Sequence, residues 1–63
     1  MSRSKAREVI VTADNPMDAF WSLLGAEEAF QGFGKVLEIS LYEELSNQDL
    51  TDYVWIVKGE SNA

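Results

Sequence analysis

Tyr53-Val54-Trp55-Ile56-Val57-Lys58-Gly59 is the densest apolar stretch of the chain, and its placement decides the fold. The segment is rich in β-branched and aromatic residues and follows the polar run 45–52, so it reads as a β-strand. At a sheet edge, this run would set exposed apolar side chains beside unpaired N–H and C=O groups, an invitation to edge-to-edge pairing. The strand is therefore expected in the middle of a sheet.

Two other segments supply its neighbours. Residues 7–13 (REVIVTA) are β-branched and are bounded by Asp14-Asn15-Pro16. Residues 35–44 (KVLEISLYEE) alternate, with Leu37, Ile39 and Leu41 pointing one way. Between them the sequence predicts a helix from Pro16 towards Gln31. Asn15 suits the N-cap, Pro16 suits the first helical position, and Asp18 faces the positive end of the helix dipole. Gly32 and Gly34 stop it. Within this span the apolar face rotates, from Met17, Phe20, Trp21 and Leu24 to Leu23, Ala26 and Phe30. Gly25 sits at the change and marks a weak point, since a glycine inside a helix costs about 1 kcal/mol relative to alanine. The favoured arrangement is one helix burying Phe20, Leu23, Leu24 and Phe30, with Trp21 near the rim. Residues 45–52 are expected to be a polar connector, with at most one helical turn after Ser46.

The expected fold is α+β: a β-α-β-β chain forming a three-stranded antiparallel sheet of order 1-3-2, with one helix packed on one face and a right-handed first crossover. Residues 1–6 are expected to form a flexible basic tail, 7–60 the domain and 61–63 a short tail.

Strand alternation allows Val9, Val11, Leu37, Ile39, Leu41, Val54 and Ile56 to share one aliphatic face under the helix. The other face would carry Glu8, Ile10, Thr12, Val36, Glu38, Ser40, Tyr42, Tyr53, Trp55 and Val57. One helix covers one face, so Tyr42, Tyr53 and Trp55 would lack cover. Exposed aromatics of this kind mark an interaction surface. The candidate protein-binding residues are Trp55 as anchor, Tyr53, Tyr42 and Ile10 beside it, and Glu8 and Glu38 at the rim. Two other arrangements fit the same pattern: cross-strand shielding of the aromatics, and reversed faces with Tyr53 and Trp55 under the helix.

The composition of the 63 residues narrows the chemistry. There is no Cys and no His, which removes disulfides, thiolate and imidazole metal sites and the commonest general base. Gly32-Phe33-Gly34-Lys35 lacks the spacing and the following helix of a phosphate loop. Ser2 and Lys5 stand at a serine–lysine spacing, but in a segment expected to be mobile. Asn47, Asp49 and Asp52 do not match a calcium loop. No catalytic, cofactor-binding or metal-binding residue is expected, and the chain reads as a non-enzyme without a cofactor.

Charge points to the partner. Arg3, Lys5 and Arg7 make residues 1–7 cationic, while residues 8–63 set Lys35 and Lys58 against eleven acids, a net −9. Such a body repels nucleic acid and anionic lipid and attracts basic protein surfaces. No apolar run approaches the roughly 20 residues that span a bilayer, and a cytoplasmic setting is the default expectation. The leading functional expectation is a non-enzymatic protein-interaction module. It would be an acidic inhibitor or adaptor, of the type found among phage and mobile-element accessory proteins, that binds a basic surface of a nucleic-acid-processing enzyme. Two alternatives stay open. One is a homo-oligomeric subunit (a homodimer, for example) that buries the aromatic face. The other, less favoured on charge, is a single-stranded nucleic-acid-binding domain using sheet aromatics and the basic arm.

Overall fold

Leu50–Ser61 forms β3, the central strand of the sheet, in a computed structural model that describes residues 4–61. β1 (Ser4–Ala13) and β2 (Phe33–Asn47) flank it, both antiparallel to it, in the order β1-β3-β2. The crossover from β1 to β2 carries α1 (Pro16–Gly25) and the short α2 (Glu27–Phe30). The architecture is the expected α+β arrangement, with the helical span divided in two.

The strands run further than the local sequence suggests. Ser4, Lys5 and Ala6 belong to β1 rather than to a flexible tail, and Ser61 ends β3; residues 1–3 and 62–63 lie outside the described part. A central strand of 12 residues offers partners along its whole length, down to the Ser4–Glu60 pair. The expected connector 45–52 is also absent. β2 continues to Asn47 and β3 begins opposite it at Leu50, leaving a two-residue turn of Gln48 and Asp49. Gln48 takes φ 47°, the positive-φ geometry that closes tight hairpins with the twist of the flanking strands.

The helix start follows the sequence signals. Asn15 Oδ1 accepts from the Asp18 N–H at 2.9 Å, and Asn15 Nδ2 donates to Asp18 Oδ2 at 3.1 Å. The helix then stops at Gly25, because Ala26 adopts extended geometry (φ −91°, ψ 101°) and its N–H bonds back to the Leu23 carbonyl. One more turn, α2, starts from Ala26, whose carbonyl accepts the Ala29 N–H. Gly32, at φ 86°, then turns the chain into β2.

Register corrects the expected faces. Val9 stands opposite Trp55, and Val11 opposite Tyr53. Directly opposed residues share a face, so Tyr53, Trp55 and Val57 lie with Val9 and Val11 beneath the helices. Val54 and Ile56 pair with Ile10 and Glu8 on the open face. Ile39 and Leu41 stay on the helix side, opposite Val57 and Trp55, while Leu37 is exposed at a β-bulge. The core consists of Ala19, Leu23 and Ala29 from the helices against Tyr53, Trp55 and Val57, with Val9, Val11 and Ile39 packed around them. The helices turn their small residues to the sheet, and that leaves room for a tryptophan and a tyrosine. Phe20 and Leu24, expected in the core, remain partly exposed.

Candidate functional site

The six residues singled out from the sequence do not form one surface. Tyr53 is 3% exposed and Trp55 7%, so neither is free to meet a partner. Trp55 stacks at a tilt on Phe20, with ring centroids 5.7 Å apart, and its indole N–H finds no acceptor among the described residues. Glu8, Ile10 and Glu38 lie on the open face, where Ile10 faces Val54 and Glu38 faces Lys58 across the strands. Tyr42 is the extra residue of a bulge between Leu41 and Glu43 and is 69% exposed.

Exposed apolar side chains are spread over the molecule, Ile10, Leu37 and Tyr42 among them, and one set lies along α1. Met17 and Trp21 are 70% and 65% exposed, and Leu24 and Phe20 are also open to solvent. These four follow the i, i+3, i+4, i+7 spacing of a single helix stripe. At 3.6 residues per turn, Trp21 and Met17 point roughly 180° and 140° away from the inward direction set by Ala19 and Leu23. Leu24 and Phe20 come down one flank of α1, at roughly 120° and 80°. Phe20 reaches Trp55 on β3 while the backbone of α1 approaches β1, the strand it follows, so this flank faces β2. An exposed apolar stripe therefore runs along α1 from Trp21 over Met17 and Leu24 to Phe20, which meets Trp55.

Charge around the stripe is one-sided. The helical span 14–30 holds Asp14, Asp18, Glu27 and Glu28 and no cation, whereas Glu38, Glu43 and Lys35 of β2 pair on the open face. Glu44 pairs with Tyr53 and so stands on the helix side of the sheet. The cations near the chain start do not form a free arm. Arg7 Nη1 donates to the Glu28 carbonyl at 2.7 Å, and Lys5 and Arg7 sit 4.8 and 5.2 Å from the centre of the Phe33 ring. Arg7 thus caps a carbonyl of α2, and both cations pack on the Phe33 ring. Arg3 lies outside the described residues.

A shallow hollow of about 390 Å³ is lined by Ser4, Lys5, Leu37, Glu38 and Lys58. Among the described residues no cluster of acidic side chains is built to hold a metal ion. None of their helices is long and apolar enough to cross a membrane.

The sequence contained a signal for the true inward face. Ala19, Leu23, Ala26 and Ala29 recur at helical spacing, a small-residue stripe that suits large side chains across from it. Comparison with protein-family models, with curated proteins and with solved structures finds no match to this chain.

Proposed function

We propose that this chain is a non-enzymatic protein-interaction module, an acidic inhibitor or adaptor that docks on a basic protein surface, such as the nucleic-acid-binding cleft of an enzyme. The observation that carries the reading is the solvent-exposed stripe Met17, Phe20, Trp21 and Leu24 on an otherwise acidic body. Contiguous exposed apolar groups rimmed by charge mark interaction sites. Tryptophan is also the side chain most often found at the energetic centre of an interface. The anchor is therefore Trp21 on α1 and not Trp55. Base stacking on the sheet has no support from the geometry, because Tyr53 and Trp55 are covered and Lys5 and Arg7 are engaged.

Capture from lysate of the source cells by immobilised native chain, Trp21→Ala and Ile10→Ala tests this. Partner recovery should collapse for Trp21→Ala, persist for Ile10→Ala on the opposite face, and weaken with added salt. Equal recovery by the folded Trp21→Ala variant would contradict the reading. A chain that is dimeric in dilute solution, with Trp21 buried, would favour the homo-oligomer instead.

A further inference from the structure

The helical layer over the sheet is half filled. The backbone of α1 approaches β1, the strand it follows, and Arg7 of β1 bonds to α2, while β2 keeps Ile39 half-buried and Leu41 exposed on the helix side. Strands in a sheet are spaced about 4.8 Å apart, so β2 lies about 10 Å from β1. Packed helices lie about 8–10 Å apart. A helix resting against the Phe20–Leu24 flank of α1 would therefore come down on β2. Its wall would be Phe20 and Leu24, and its floor Leu41, Ile39 and the rim of Trp55.

The occupant is decided by charge. The helical span 14–30 holds Asp14, Asp18, Glu27 and Glu28, and Glu44 stands on the helix side of β2, while Glu38, Glu43 and Lys35 pair on the open face; residues 8–34 contain no basic residue at all. A second copy would bring its own α1, with Asp18 in its first turn and Asp14 just before it, and a net charge of −6. Like charges brought together across an interface oppose that pairing. We infer that the strip between α1 and β2 is a berth for an amphipathic α-helix of a partner protein, with apolar residues facing Phe20, Leu24 and Leu41 and with Lys or Arg along both flanks. The inference rests on the interaction reading above and gives that partner a shape. Helix-in-groove docking of this kind reads as anchors at i, i+3, i+4 and i+7 on the incoming helix.

Two designed peptides of about four helical turns test the berth: one of Leu and Lys, the other of Leu and Glu with the same apolar stripe. Both are titrated into the full chain and followed by amide NMR and circular dichroism. The Leu–Lys peptide should bind, gain helicity, and perturb amide signals at Phe20, Leu24, Ile39 and Leu41. Leu24→Lys should raise its Kd about tenfold or more, and Ile10→Lys should leave it within about twofold. Both positions are exposed, and the amide spectrum of each variant reports that it is folded. The Leu–Glu peptide should not bind.

Three results would overturn the berth. The first is no binding of the Leu–Lys peptide, and the second is binding of both peptides alike. The third is binding that maps to the open face or brings no helicity. Any of these, alongside lysate capture that still depends on Trp21, would leave the interaction module standing without this berth. Loss of both would remove the two together.

Discussion

At Gly59 the central strand passes so close to β2 that a Cβ would collide with the Lys35 carbonyl oxygen. It would also lie 2.8 Å from Phe33 Cδ1 and 3.0 Å from the Val36 Cα. Two of these three obstacles are backbone atoms, which cannot swing aside. Gly59→Ala should therefore destabilise the fold by about 1–3 kcal/mol, the range for forcing extra volume into a packed site. The expected readout is a lower urea midpoint with an unchanged slope; an unshifted midpoint would show that β2 gives way more easily than its pairing suggests. The same close packing bears on Trp55. Its side chain was read from the sequence as an exposed anchor because Tyr53, Trp55 and Val57 share a face and the chain has only one helical layer. Alternation fixes which residues of one strand go together. It does not fix the phase of that strand against its neighbours, which depends on register, and Val9 opposite Trp55 was invisible in the sequence.

Among the elements, α1 shows what was legible and what was not. Its start was legible because Asn15 and Pro16 satisfy or remove the same unpaired N–H groups wherever a helix begins. Its weak point at Gly25 was legible too, and the chain does leave the helix at Ala26. The inward face was legible only in part: Leu23 is buried as expected, but the alanine stripe beside it carries less weight in the sequence than the large apolar residues, which were assumed to point to the sheet. Volume decides otherwise: Trp55 and Tyr53 fill the space, so alanines fit above them and Phe20 and Leu24 stay at the flank. In β2, three register shifts break the simple alternation, and they left Leu37 exposed where a regular strand would bury it. Gly25 itself offers a direct check on α1. A Cβ there meets nothing within 4 Å. Gly25→Ala should stabilise the protein by about 0.4–1 kcal/mol by restricting the unfolded chain. Destabilisation would mean that the break after α1 depends on glycine at this position.

For the whole molecule, thinness and charge act together. The described chain measures 44 × 19 × 14 Å, a sheet with one incomplete helical layer. Its charge discourages association with itself and favours basic neighbours. The account depends on which tryptophan is presented to solvent. Acrylamide quenching of Trp21→Phe, which reports Trp55, and of Trp55→Phe, which reports Trp21, measures this directly in dilute folded chain. Removing the Trp55 indole also removes a buried N–H without a partner, which offsets part of the packing lost in that variant. Trp21 should be quenched strongly and emit like a hydrated indole, and Trp55 should be quenched weakly. Equal or stronger quenching of Trp55 in the folded protein would contradict the account, because the sheet and not α1 would then hold the exposed aromatic.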